Sequence, residues 1–171
     1  DWPHVETIAR SLAPPNSCII PEGANMEEAY EGAQTLALDI QRNEREMGFE
    51  FDHIFLDAGT GFMAKACVDG FKDRKTQFHI VTMAPCAKMF EGTSVKLYKP
   101  RIGSSFGSTP SKIFEFIAEF AKAEGVLLDP LYSAKLFFEA REIAKEGKLQ
   151  GHSLIVHSGG TLSCNFLYSR N

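Results

Sequence analysis

Apolar positions along this chain recur in two rhythms. The run "FDHIFLDAG" (51–59) is almost continuously apolar, the pattern of a strand covered on both faces. "QFHIVTMA" (77–84) repeats it, and "SLIVHSGG" (153–160) reads as a last strand running into a glycine turn. "SCIIPEG" (17–23) predicts a strand ending in a turn, and "SVKLY" (94–98) a short edge strand. Between them the spacing turns helical. "HVETIARSL" (4–12) predicts a short helix stopped by Pro14-Pro15. Residues 25–48 predict a long one, with Ala29, Ala33, Leu36, Ala37 and Ile40 as its apolar stripe, Asn25 and Glu28 as an approximate capping box, and Gly48 as terminator. Further helices are predicted over 60–71, briefly over 86–92, over 110–125 with Thr109 as cap and Pro110 in the first turn, and from Tyr132 to Gly147. Residues 99–109 read as a loop.

Strand and helix alternate, which predicts an α/β fold: a mostly parallel open sheet with helices on both faces. Ligands of such sheets bind beyond the carboxyl ends of the strands. Three segments belong there: "DAGTGFM" (57–63), "HSGGT" (157–161) and the stretch leading into Tyr132.

Composition narrows the function classes. At 44% hydrophobic and 23% charged residues, the 171-residue chain can build a core. A net charge of -4 argues against nucleic acid as the main partner. No apolar stretch approaches the roughly 18 residues of a membrane span. The segment "DWPHVETIAR" does not resemble a signal peptide. Cys18, Cys67, Cys86 and Cys164 are scattered without a close pair, so metal binding is not expected, and buried reduced thiols in a cytoplasmic protein are.

Gly59 and Gly61 let the backbone after the first long strand turn tightly, Thr60 adds a hydroxyl, and the next helix offers its positive end. That makes an anion cradle, or a plain strand-to-helix turn. Asp57 would repel a phosphate if it pointed inward. His157 invites a catalytic reading but fits a hydrogen-bonded structural histidine better, and no nucleophile elbow supports a hydrolase triad. Lys65, Lys135 and the run Glu44, Arg45, Glu46 read as solvated helix faces.

"FIAEFAKAEGVLLDPLYSAKLFFEAREIAKEGKL" followed by "LIVHSGGTLSCNFLY" resembles the C-terminal part of the D-cysteine desulfhydrase and 1-aminocyclopropane-1-carboxylate deaminase family. "IIPEGANMEEAYEGAQTLALDI" and "FEFDHIFLDAGTG" resemble its middle segments, in the same order. The resemblance implies the large domain of a fold-type II protein that uses pyridoxal 5'-phosphate (PLP). It implies a small amino acid as substrate and leaves room for a homo-oligomer. It places Tyr132 beside substrate and cofactor and Ser133 opposite the cofactor's ring nitrogen. A hydroxyl there holds the ring as a weaker electron sink than a carboxylate would, which leans toward β-elimination over ring opening. Ser158, Gly159 and Gly160 would pack beside the ring, and the loop from Gly59 through Thr60 and Gly61 to Met63 would hold the phosphate.

Phe62 and Met63 stand where the family carries Gly or Ser, then Thr, and Phe106 stands where the deaminases carry a tyrosine. Family chains are about twice as long, and their Schiff-base lysine lies upstream of the matching segments. Neither Lys65 nor Lys135 matches its motif. Residues 1–171 are therefore expected to be the C-terminal large-domain portion of a PLP-dependent lyase or deaminase, inactive alone. D-Cysteine-like β-elimination ranks first and 1-aminocyclopropane-1-carboxylate opening second. The alternative is a degenerate, non-catalytic binding or assembly domain.

Overall fold

The structure, a computed structural model, describes residues 4–164. Four parallel strands form one sheet in the order β3-β2-β1-β4: β1 (His53–Ala58), β2 (Gln77–Thr82), β3 (Lys96–Tyr98) and β4 (Ser153–Ile155). Among the described residues the α-helices are α1 (Val5–Leu12), α2 (Tyr30–Met47), α3 (Phe62–Asp69), α4 (Ser111–Glu124) and α5 (Ser133–Lys145).

Side-chain alternation along β1 divides the core. Ile54, Leu56 and Ala58 pack with Ala37 and Ile40 of α2 and Ala64, Cys67 and Val68 of α3. Phe55 points to the other face and meets Leu136, Ala140 and Ile143 of α5, together with Val81 and Met83. Both faces are thus covered, as the unbroken apolar runs predict. Each fully buried aliphatic side chain here contributes about 1.5–3 kcal/mol relative to exposure. A third cluster joins α4 to α5 through Ile113, Phe116, Ile117 and Phe138.

The chain moves from β1 through α3 to β2 and on to β3, then returns through α4 and α5 to place β4 on the opposite side of β1. The direction of winding reverses between β1 and β4. Such a reversal opens a crevice at the carboxyl ends of the two strands.

Several local expectations are corrected. Residues 17–23 form no strand. Ile20 is 68% exposed with no strand beside it, and 22–24 fold into a single 3-10 turn with Gly23 at φ +65°. The capping box at Asn25 and Glu28 does not form: a 3-10 turn occupies 27–29 and α2 begins at Tyr30, without a side-chain cap. Helix α4 starts one residue later than predicted, with Pro110 rather than Thr109 at the cap position. Gly48 does end α2, at φ +76°. Glu44 is buried, not solvated: it accepts the Phe51 N–H and pairs with Arg74, thirty residues away. Cys67, Cys86 and Cys164 are buried thiols, whereas Cys18 is exposed. Among the described residues no helix is long and apolar enough to cross a membrane, and no three metal-ligating side chains gather.

Candidate functional site

A cavity of about 730 Å³ opens at the carboxyl ends of β1 and β2, lined by Asp57 and Ala58 on one side and Ala84 and Pro85 on the other. The turn 57–63 forms its floor. Gly61 sits at φ +86° and starts α3, so the first N–H groups of that helix face the same region. Gly59 lies beneath the ring of Tyr132, where a methyl group would stand 3.4 Å from the tyrosine hydroxyl. Phe106, carried by the loop 99–109, meets Tyr132 edge to face at 5.7 Å between centroids. Glu22 and Gly23 supply a lip. That lip is tight against the floor, because a Cβ on Gly23 would fall 2.5 Å from Thr60 Oγ1.

Of the residues predicted from sequence, Gly59, Thr60, Gly61 and Tyr132 line this cavity, with Phe62, Met63 and Phe106. Ser133 does not. Its hydroxyl is fully buried, donates to Asp129 Oδ2 at 2.7 Å and accepts the Asp129 N–H at 2.7 Å. Asp129 also accepts the N–H groups of Leu131, Tyr132 and Ser133, so its carboxylate caps α5 from four residues upstream. The D-P-x-Y-S stretch is therefore a helix-start lock that sets the Tyr132 ring. The signal is present in the sequence as an Asp ahead of a helix.

The 157–160 turn reaches the cavity indirectly. Ser158 Oγ donates to Asp57 Oδ1 at 3.1 Å, and Gly160 lies against Asp129, 3.4 Å from its carboxyl carbon at the position of an added Cβ. His157 is structural, as expected: its Nε2 faces the Leu127 carbonyl at 3.0 Å and its Nδ1 accepts the Gly159 N–H at 3.0 Å. With Nδ1 accepting, Nε2 is the nitrogen that donates to the carbonyl. Lys135 is buried rather than solvated; it donates to the Ser105 carbonyl at 2.9 Å and so ties down the loop that carries Phe106. Burial pushes its pKa down, against a smaller opposing effect of Asp129.

Asp57 is the residue of greatest consequence that the motif reading underweights. It is 8% exposed and stands at the end of β1 on the cavity wall. Burial pushes its pKa up, the Ser158 bond lowers it in part, and Asp129 raises it further. Tyr132 is likewise pushed up, by burial first and then by Asp57, Asp129 and Glu22. Its hydroxyl therefore stays protonated at neutral pH. No hydrogen-bond partner takes it up among the described residues, which leaves a neutral donor facing the cavity.

Measured against PLP, the site fits in its backbone and not in its charge. A glycine turn entering a helix N-terminus suits a phosphate, and Tyr132 beside Gly59 offers a wall for a planar ring. Among the described residues, however, the lining contains two carboxylates, Asp57 and Glu22, and no Lys or Arg.

No family model matches the chain. Among curated proteins it is 30% identical over 90 residues to a Pyrococcus abyssi protein provisionally named 1-aminocyclopropane-1-carboxylate deaminase, covering 50% of this chain and 27% of that one. A Pyrococcus furiosus protein with the same provisional name is 35% identical over 74 residues, 43% of this chain and 22% of its own length. The 1-aminocyclopropane-1-carboxylate deaminase of Pseudomonas syringae pv. syringae is 27% identical over 173 aligned positions, 85% of this chain and 51% of the enzyme. The chain thus spans about half of that relative, and less of the others. A solved structure described as an ACC deaminase homologue superposes with a TM-score of 0.76 over 99% of this chain and 56% of its own, at 20% identity. In sequence this chain is thus similar, over part of their length, to proteins named 1-aminocyclopropane-1-carboxylate deaminase, and it shares the fold of the solved ACC deaminase homologue.

Proposed function

We propose that residues 1–171 form the ligand-facing large-domain portion of a PLP-type lyase or deaminase acting on a small amino acid. D-Cysteine-like β-elimination and 1-aminocyclopropane-1-carboxylate opening are its two candidate reactions, in that order. The supporting observation is the convergence of the 57–63 turn and Tyr132, buttressed by the 157–160 turn, around one cavity at the carboxyl ends of β1 and β2. In this reading Tyr132 presents a protonated hydroxyl to the substrate, and the Asp129 lock keeps that hydroxyl over Gly59. The aromatic wall of Phe62, Phe106 and Tyr132 excludes water from the same space. The lean toward β-elimination rests on resemblance at Ser133, whose hydroxyl here serves Asp129. The 171-residue chain by itself is expected to give no turnover, because the covalent anchor of the cofactor belongs to segments that it does not match.

The test is an assay of the longest reading frame that contains this sequence, with D-cysteine and 1-aminocyclopropane-1-carboxylate. Release of pyruvate or 2-oxobutyrate, lost on Tyr132→Phe, supports the proposal. Absence of turnover together with absence of PLP uptake supports the second reading, a non-catalytic binding domain on the same fold. That reading draws on the acidic, aromatic wall made by Asp57, Glu22, Phe62, Met63 and Phe106.

A further inference from the structure

Helix α1 carries an apolar stripe that the described residues leave open. Val5, Ile8 and Leu12 fall at i, i+3 and i+7, so their side chains share one face, with Ala9 among them. They are 51%, 46% and 78% exposed. The polar flank is closed on itself, since Arg10 donates to Glu6 Oε1 at 2.7 Å one turn away. Alone among the described α-helices, α1 buries no residue. Along the described chain the first buried residue is Ala37, well inside α2. Yet isolated helices shorter than about 12–15 residues are marginal in water, and packing of the apolar face supplies the missing stability. A helix of 8 residues with such a stripe therefore calls for a cover.

The size of the solved homologue indicates the cover. It superposes on nearly the whole of this chain, α1 with it, and keeps a little under half of its own length outside the superposition. A second copy of this chain fits less well. Separate chains that associate stably bury about 800 Å² a side, from roughly 20–30 residues. The stripe offers three large aliphatic side chains. A covalently joined segment meets no such threshold, because its linker sets a high effective concentration.

We infer that the Val5, Ile8 and Leu12 stripe is a docking face for the part of a longer parent chain that has no counterpart in residues 1–171, and that this part meets it with an aliphatic surface. The inference rests on the proposed function only in taking these residues as a portion of a longer protein. It needs neither cofactor nor turnover.

Hydrogen–deuterium exchange of peptides covering residues 4–13 tests it, in the 171-residue chain and in the longest reading frame that contains it. In the short chain these amides should exchange close to the rate of an unstructured peptide. In the longer chain they should slow by about tenfold or more. Ile8→Ser, a change between residues of similar helix propensity, should abolish that protection and lower the melting temperature of the longer chain. It should leave the melting temperature of the short chain unchanged. Peptides from β1 and β2 report a folded core; if the short chain lacks their protection, the longer chain and its Ile8→Ser variant decide. If Ile8→Ser does not fold, Leu12→Ala replaces it. Equal exchange of residues 4–13 in both chains would overturn the inference. So would protection in the short chain that grows with protein concentration, which would put a second copy on the stripe, or a reading frame that adds nothing to the 171 residues. Turnover by the longer chain with α1 unprotected would sink this inference alone; protection without turnover would sink only the proposed function.

Discussion

Two turns of this molecule lead into helices at the same end of the sheet, and they treat their polar groups in opposite ways. Before α5, Asp129 satisfies three backbone N–H groups and the Ser133 hydroxyl, and its own N–H is taken by Ser133 Oγ. Asp129 is 1% exposed and no oxygen of its carboxylate is idle. After β1, Asp57 is almost as buried, but its carboxylate stands on the cavity wall with Ser158 as its side-chain partner, and the Tyr132 hydroxyl above Gly59 has no partner among the described residues. The first turn is architecture: its groups are satisfied within four residues of chain. The second leaves capacity open toward a cavity, and open capacity in a buried setting is where a ligand gains affinity.

The largest expected effect follows from breaking the closed turn. Asp129→Ala strands several buried donors, and denaturant unfolding should show a loss of about 3 kcal/mol or more. A comparable loss on Asp57→Ala would erase the distinction between the turns.

A satisfied polar group away from both turns gives the next test. His79, on β2, lies between His53 at 3.1 Å and the Tyr98 hydroxyl at 3.0 Å, and stacks on Phe55. Burial, then His53 and Lys96, pushes its pKa down from 6.5 to about 4. Because the folded value lies below the unfolded one, its contribution is full above pH 6.5 and is lost as pH falls toward 4. Acid titration of stability should show a loss on the order of 2 kcal/mol across that window. His79→Gln, which keeps a donor and an acceptor without titrating there, should flatten it.

Asp57 runs the other way. Its folded pKa is raised, so the contribution of this group is full below the unfolded carboxylate range and falls as pH rises through the folded value. Asp57→Asn should therefore be more stable than the parent at neutral pH, the difference closing in acid. Thermal melts at pH 7 and pH 3 check the sign. The smallest effect belongs to Tyr132→Phe. With no hydrogen bond to lose, unfolding free energy should stay within about 0.5 kcal/mol of the parent. A larger drop would mean that the hydroxyl is structural after all.

Local pattern carried the frame of the fold because period and punctuation are local. The almost continuous apolar run at 51–59 states that both faces are covered, and Gly48, Gly61 and Gly125 mark turns that need positive φ. The same local rules misread 17–23, where Ile19 and Ile20 look like a strand: β-propensity has force only with a neighbour to pair with, and none lies there. They also misread Glu44 and Lys135, whose burial comes from Arg74 and from the Ser105 carbonyl, both thirty residues away.

From the amino-acid order alone came the alternation of strands and helices, the glycine turns at 59–61 and 159–160, and the candidacy of Tyr132. Tertiary structure decided the rest: that β4 lies on the far side of β1, that Ser133 turns inward to Asp129, and that Asp57 stands on the cavity wall bonded to Ser158. The physical reason is distance along the chain. Propensity and periodicity act over a few residues, whereas burial, charge and the satisfaction of a hydrogen bond depend on which remote segments the sheet brings together.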